Sequence, residues 1–169
     1  SMVNHYTAAR RRRSDDAYTP EGRAGARPDY CTTTYCRILK QLYPDVPIVI
    51  GGIEASMRRL THYDYWADKL MPSILVDSGA DLLVYGMGEQ AILEIAQKGI
   101  CHSIPQTAYL ESDASALPQE AIRLASHEQA MRDKRVHAEN FRYIEIESNK
   151  IHQNTIIQAV GKQFVVVNP

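Results

Sequence analysis

The sequence has few cysteines, few aromatic residues other than tyrosine, and almost no net charge. Its 169 residues include three cysteines, two phenylalanines and one tryptophan, and the formal net charge is −1. An odd number of cysteines argues against a disulfide framework. A charge so close to zero excludes a strong overall attraction to nucleic acid or to an acidic membrane surface. The length suits one domain with a real core, and the 44% hydrophobic share is that of a soluble globular protein.

Long hydrophobic runs are also missing. No apolar run approaches the roughly 20 residues that a membrane-spanning helix needs, so we expect no membrane partner. An arginine run, Arg10 to Arg13, stands where a signal peptide would carry its apolar core. We therefore predict a cytoplasmic protein.

Spacings typical of metal ligands are absent as well. Cys31 and Cys36 are five positions apart, which is not a paired-ligand spacing for zinc and which would place them about 140° apart on a helix. His127, His137 and His152 do not stand four positions apart from one another. We predict free thiols in or near the core, surface histidines and no metal ligand.

The chain is organised around a short apolar run, Ile48-Val49-Ile50, which Gly51 and Gly52 follow directly. This pattern is typical of a strand buried on both faces in a parallel sheet. Ligands of open α/β sheets bind at the carboxyl ends of such strands, where glycines allow a close approach. A tight turn that binds nothing would have the same sequence, and both interpretations remain open.

A second unit of the same kind follows. Residues 82–85 read as a buried strand, Gly86 and Gly88 as a turn, and Glu89 to Lys98 as a helix that ends at Gly99. The Gly-x-Gly has no third glycine in register, so it is a weak dinucleotide-binding signal. Two strand–glycine–helix units about 35 residues apart predict a parallel α/β layer with right-handed crossovers.

Other elements are predicted from periodicity and capping. A helix capped by Asp29 should run to about Tyr43 and bury its apolar positions, which are Tyr35, Ile38, Leu39 and Leu42. We also expect a helix over residues 2–10, a short edge strand over 107–110, and a last strand over 163–167. The stretch from Leu117 to about Asn149 is predicted to be helical, with a cap at Ser126.

Two polar stretches stand out. The four arginines at 10–13 would point to all sides of a helix. They form either a solvated helix end or an anion site, together with Arg23 and Arg27 in the following loop. The segment from Thr61 to Lys69 gathers aromatic and ionisable residues, and forms either a ligand wall or a packed surface. For Trp66 the packing interpretation is favoured, whereas for His62 and Asp64 both interpretations remain open.

Several segments together resemble the YgiQ-like radical SAM proteins. They are residues 1–20 (SMVNHYTAARRRRSDDAYTP), 47–56 (PIVIGGIEAS) with 58–60 (RRL), 62–66 (HYDYW), 73–78 (SILVDS), 81–89 (DLLVYGMGE) and 167–169 (VNP). The resemblance covers most of the chain and is weakest from about Glu111 to Ile151.

This resemblance implies a Rossmann-like domain of the cobalamin-binding type, in which helices flank a parallel sheet that is incomplete because the chain is a fragment. Residues 1–110 would form the α/β core, and residues 111–169 a helical segment and final strand that lead to a radical SAM barrel. Such barrels hold a [4Fe–4S] cluster through Cys-x-x-x-Cys-x-x-Cys, and S-adenosylmethionine occupies the open iron site.

The sequence departs from the family pattern in its cysteines. Cys31, Cys36 and Cys101 do not have the cluster spacing. The resemblance therefore implies that the cluster and S-adenosylmethionine belong to the full-length protein, and that this part alone binds no cluster and catalyses no reaction. Asp-x-His-x-x-Gly, which supplies a lower ligand to cobalamin in many domains, is also absent. Cobalamin would have to bind without that ligand.

Three hypotheses follow. The first is an accessory domain of a radical SAM enzyme whose substrate is unknown. The domain would face the active site of the barrel in the same polypeptide. The second is a binder of cobalamin or a nucleotide at the glycine edge, and the third is an RNA-binding or anion-binding module that uses Arg10 to Arg13, Arg23 and Arg27. Candidate binding residues are Gly51, Gly52, Glu54, Ser56, Arg58, Arg59, His62, Tyr63, Asp64, Tyr65, Trp66, Gly86, Gly88 and Glu89.

Overall fold

The structure, a computed structural model, describes residues 5–169. The helix predicted over residues 2–10 therefore lies partly outside the described residues, and for residues 6–10 the prediction is wrong. Tyr6 pairs with Arg12 in an isolated antiparallel bridge. The chain reverses between them, with Arg10 at a left-handed φ of 58° and the Arg11 amide donating to the Thr7 hydroxyl at 3.2 Å.

Within the described part of the chain, eight strands form one six-stranded sheet and one separate hairpin. They are β1 Val49–Ile50, β2 His62–Asp64, β3 Lys69–Met71, β4 Leu82–Val84, β5 Thr107–Glu111, β6 Ala121–Leu124, β7 Thr155–Val160 and β8 Gln163–Val167. The order in the large sheet is β1-β4-β5-β8-β7-β6, and β2 pairs with β3.

The large sheet is mixed. β1 runs parallel to β4, with Val49 opposite Leu82, and β6 runs parallel to β7. The three inner pairings are antiparallel, and one of them, between β7 and β8, is a hairpin that turns at Gly161, whose φ is 59°. The predicted α/β fold with flanking helices is confirmed, and so is the parallel pairing of the first two glycine-flanked strands.

Six α-helices accompany the sheets within residues 5–169: α1 Cys31–Leu42, α2 Gly52–Met57, α3 Ile74–Ser78, α4 Glu89–Lys98, α5 His127–Arg132 and α6 Lys134–Ser148. Single 3₁₀ turns span Pro20–Gly22 and Ala114–Ala116. Ser126 and Gln129 form the capping box of α5, as the sequence predicts. Tyr30 rather than Asp29 is the N-cap of α1, because Asp29 accepts a hydrogen bond from Tyr6 and contacts His5 at 2.8 Å.

Two strand predictions need correction. The segment predicted as an edge strand is β5, which pairs on both sides, with β4 and β8. Its first three residues are buried, as a central strand requires. β6 lies inside the stretch predicted to be helical, and the hydrophobic alternation of this four-residue strand is too short to be recognised. Since β5 and β8 pair, the sheet draws on both segments, 1–110 and 111–169, and the division at residue 110 stays a prediction.

The core lies on both faces of the large sheet. Leu82, Leu83, Val165 and Val166 have no exposed surface, and Leu75 of α3 packs against one face. The predicted burial of the α1 face is wrong: Tyr35, Ile38, Leu39 and Leu42 are 44% to 64% exposed, and only Cys36 of that helix is buried. None of the helices within residues 5–169 is long and apolar enough to cross a membrane.

Candidate functional site

The two glycine turns meet at one edge of the large sheet. Because β1 and β4 are parallel neighbours, with Ile50 opposite Leu83, the turns that follow them lie side by side. The Gly86 amide donates to the Ser56 hydroxyl at 3.3 Å, which joins the second turn to α2. We call residues 51–57 and 85–88 the rim.

Glycine is required at two rim positions by backbone conformation. Gly52 has a φ of 81° and Gly86 a φ of 68°, which is the left-handed region that other residues adopt only at a cost. Gly51 serves a different purpose, because a Cβ there would lie 3.3 Å from the Val84 carbonyl oxygen. The rim is therefore built from backbone that glycine alone accommodates well.

A cavity of about 300 Å³ opens beside the rim. It lies where α2, the end of β4, the end of α6, the start of β7 and the end of β8 converge. Its lining residues are Ser56, Arg59, Tyr85, Gly86, Glu147, Ser148, Gln153, Asn154, Ile156 and Val167. Ser56, Arg59 and Gly86 are candidates that the sequence predicts, so the structure brings three of the fourteen together here.

Arg59 is the only cationic side chain in this lining. Its Nη1 donates to the Ser56 carbonyl oxygen at 2.6 Å, and its guanidinium carbon lies 4.8 Å from the centre of the Tyr85 ring. Its Nε is buried and has no acceptor among the described residues. Burial lowers the pKa of Arg59, and Tyr85 and Glu145 only partly oppose this effect. The side chain is thus a fixed cation with an unused donor.

Glu147 brings the opposite charge to the cavity, but its carboxylate is already occupied. Lys150 Nζ donates to one oxygen, and the backbone and side-chain nitrogens of Asn154 donate to the other at 3.0 and 3.1 Å. The hydrogen bond from Lys150 lowers the pKa of Glu147. Glu147 therefore anchors the end of α6 to the start of β7 and leaves Arg59 without a carboxylate partner.

Arg58 differs from its neighbour because its charge is paired. It lies 3.2 Å from Glu54 and 3.6 Å from Asp64. Glu54 also accepts from the Thr32 hydroxyl at 3.1 Å. This network joins α1, α2 and β2. The candidates Glu54, Arg58 and Asp64 consequently lie together, in a paired cluster outside the cavity lining.

Asp64 is 2% exposed and turns the chain after β2. Burial alone would raise its pKa, yet the backbone amides of Ala67 and Trp66, the Tyr30 hydroxyl and the charge of Arg58 together lower it. The two amides donate to Oδ1 at 3.2 and 2.8 Å. Asp64 is therefore a buried carboxylate with a structural task.

The aromatic cluster packs against the beginning of the chain. The rings of Trp66 and Tyr6 lie 5.2 Å apart, Arg10 stacks over Tyr65 at 4.6 Å, and the Tyr65 hydroxyl donates to the Ala8 carbonyl oxygen at 3.0 Å. These contacts match the packing interpretation of Trp66. Neither Tyr65 nor Trp66 lines the cavity.

The remaining candidates lie apart from the cavity. His62 contacts the Leu60 carbonyl oxygen at 3.1 Å, and burial lowers its pKa. The Tyr63 hydroxyl donates to Asp68. Gly88 packs closely on Val84, and Glu89 opens α4.

Two of the arginines at the beginning of the chain, Arg12 and Arg27, line a second cavity of about 260 Å³, and the others lie outside its lining. Arg10 stacks on Tyr65, the Arg12 side chain lies against Gly25, and Arg13 Nε donates to the Tyr6 carbonyl oxygen at 3.2 Å. Arg23 pairs with Glu21 and Arg27 with Asp16. The RNA-binding hypothesis for these residues stays a prediction.

Sequence reasoning missed seven of the ten residues that line the cavity, five of which are polar. Tyr85, Glu147, Ser148, Gln153 and Asn154 line it, and four of the five come from a region about 60 residues beyond the glycine turns. The available signal was the crowding of polar residues between α6 and β7, just beyond the stretch predicted to be helical.

The cysteines of this chain do not fit an iron–sulfur cluster. All three are free thiols. Cys31 donates to the Pro28 carbonyl oxygen, and Cys36 is buried, which raises the pKa of its thiol and opposes the thiolate form that iron requires. No group of three or more His, Cys, Asp or Glu side chains within residues 5–169 is arranged to hold a metal ion.

The family model and the relatives that match this chain agree with one another. The model of the family described as "Radical SAM N-terminal" matches residues 1–169. A UPF0313 protein of Porphyromonas gingivalis is 58% identical over the whole chain, and one of Bacteroides thetaiotaomicron is 52% identical. A third, from Clostridium perfringens, is 46% identical over 99% of the chain.

These relatives are much longer than the chain. The chain spans 28%, 30% and 26% of their respective lengths. No solved structure matches.

Proposed function

We propose, from the premise that this chain belongs to the Radical SAM N-terminal family, that it is the covering domain of a longer radical SAM enzyme. Its rim would dock on the radical SAM barrel of the same polypeptide and close the barrel's active site. The chain itself would supply no ligand to the cluster.

The observation that carries this proposal is the exposure of apolar side chains on the rim. Ile53, Met57 and Met87 are 82%, 74% and 75% exposed. Met57 follows Ser56 and Met87 follows Gly86, and both of those residues line the cavity. Fully burying such a side chain is worth about 1.5–3 kcal/mol. Three of them beside one cavity favour a surface that another part of the protein covers.

The chemistry of radical enzymes gives such a cover a purpose. When bound in the longer protein, the [4Fe–4S] cluster and S-adenosylmethionine would supply the radical. A closed site keeps water and other reactants away from reactive intermediates. In this chain, the exposed apolar side chains of the rim would exclude solvent, while the paired cluster around Arg58 holds α2 in place.

The first test is cofactor analysis of the longer protein. After anaerobic reconstitution we expect about four iron and four sulfide ions per polypeptide, the content of one such cluster. A longer protein that acquires neither iron nor sulfide would contradict the proposal.

A second test addresses the cover itself, with two methionines as a matched pair. Met131 of α5 is 58% exposed, and the hydrogen bond from the Gly161 amide to Glu128 places α5 near the β7–β8 hairpin, at the other end of the strands from the rim. In the reconstituted longer protein, Met87→Lys should hasten bleaching of the cluster absorbance in air severalfold, and Met131→Lys should leave it unchanged. Equal bleaching rates in the unmodified protein and in Met87→Lys would refute docking through the rim.

A further inference from the structure

We propose that the cavity at Arg59 binds the carboxylate or phosphate group of a small molecule. None of the ion pairs within residues 5–169 includes Arg59. Arg59 is partly buried, and a charged side chain that is withdrawn from water without an ionic partner calls for an explanation. An oxyanion in the cavity would supply the partner charge that no ion pair gives to Arg59.

The guanidinium is already held in a binding geometry. The Ser56 carbonyl oxygen accepts from Nη1 at 2.6 Å, and the Tyr85 ring supports its face. A planar guanidinium matches the two oxygens of a carboxylate or phosphate, which it binds through parallel hydrogen bonds. Since the side chain is fixed before the ligand arrives, little conformational entropy is lost on binding.

The rest of the lining accommodates an anion. Gly86, Ser148, Gln153 and Asn154 are uncharged and carry hydrogen-bonding groups. Glu147 would repel an anion if its charge stood alone, but Lys150 forms an ion pair with it. Arg59 therefore supplies the one charge in the lining that forms no ion pair.

The volume limits the size of the ligand. A cavity of about 300 Å³ stands at the lower end of the range for small-molecule sites. It is small for a corrinoid such as cobalamin, and it suits a compact metabolite whose anionic group reaches Arg59. This inference does not depend on the covering role, because it is tested on the 169-residue chain alone.

The test is a titration of the ¹⁵N-labelled chain with inorganic phosphate and, separately, with sodium acetate at constant ionic strength. We expect saturable shifts of the Gly86 and Asn154 amide signals with at least one probe, and the two titrations distinguish phosphate from carboxylate ligands. Arg59→Gln should weaken binding at least tenfold. Arg135→Gln, which removes the same charge from an exposed position of α6, should change it less than twofold.

Two results would overturn the proposal. One is the absence of a saturable shift at Gly86 and Asn154 with either probe, which requires no variant and so decides the matter even if Arg59→Gln does not fold. The other is equal affinity in Arg59→Gln and in the unmodified chain.

Discussion

The guanidinium carbon of Arg59 lies 4.8 Å from the centre of the Tyr85 ring, whereas the adjacent Arg58 forms ion pairs with Glu54 and Asp64. Two arginines that are neighbours in the sequence thus have different tasks. Arg58 joins three elements of the fold, and Arg59 presents a charge to a cavity. We therefore expect the replacement of each arginine to change the stability of the fold by a different amount.

Arg58→Met should destabilise the chain far more than Arg59→Met. Removing Arg58 leaves Asp64 buried without its cation, and breaking a buried pair in this way costs about 3–5 kcal/mol. Removing Arg59 leaves no carboxylate unpaired and relieves a buried donor, so we expect a loss below about 1 kcal/mol. Urea denaturation of the two variants measures both values. Similar losses in the two variants would contradict the assignment of Arg58 as paired and Arg59 as unpaired.

Asp64 should make the stability of the fold sensitive to acid. Although burial alone would raise its pKa, the hydrogen bonds to Ala67 and Trp66 are among the interactions that lower it in the folded state. A carboxylate with a lowered pKa stabilises the fold above its unfolded pKa of about 3.9, and this contribution is lost as the pH falls through the folded pKa.

Comparing the stability of the unmodified chain with that of the Asp64→Asn variant isolates this effect. The difference between their free energies of unfolding should be constant from about pH 5 to 8 and should shrink on acidification below about pH 4. Urea titrations across this range provide the measurement. A difference that stays constant down to pH 2.5, or that grows on acidification, would show that Asp64 is not held as a carboxylate.

Gly52 should tolerate substitution only at the expense of stability. Its φ is 81° and a Cβ would meet no atom within 4 Å, so the cost of Gly52→Ala arises from the backbone alone and should be about 1–2 kcal/mol. Gly52→Asn should recover part of the loss, because asparagine enters the left-handed region more readily. Thermal unfolding of both variants checks this order. An alanine variant as stable as the unmodified chain would exclude a left-handed conformation at this position.

The strand–glycine–helix units could be predicted because their signals are local. A short apolar run, a pair of glycines and a helical pattern lie within about 15 residues of each other around Gly52, and again around Gly86. Their parallel pairing follows from the usual crossover rule. The sequence therefore predicts the edge at which the rim forms.

The difference between Arg58 and Arg59 could not be predicted, because it depends on partners far away in the sequence. Asp64 pairs with one arginine, and the cavity beside the other is completed by Glu147 and Asn154, about 90 residues later. The exposed face of α1 shows a related limit. Periodicity identifies an apolar face but does not indicate whether any part of the chain covers it.

Methionine oxidation shows whether the rim faces the rest of the polypeptide. In the 169-residue chain, hydrogen peroxide should oxidise Met57, Met87 and Met131 at comparable rates, since all three are well exposed. In the longer protein, Met57 and Met87 should be protected at least fivefold, and Met131 should be oxidised as before. Unchanged oxidation of Met57 and Met87 in the longer protein would show that the rim is not covered.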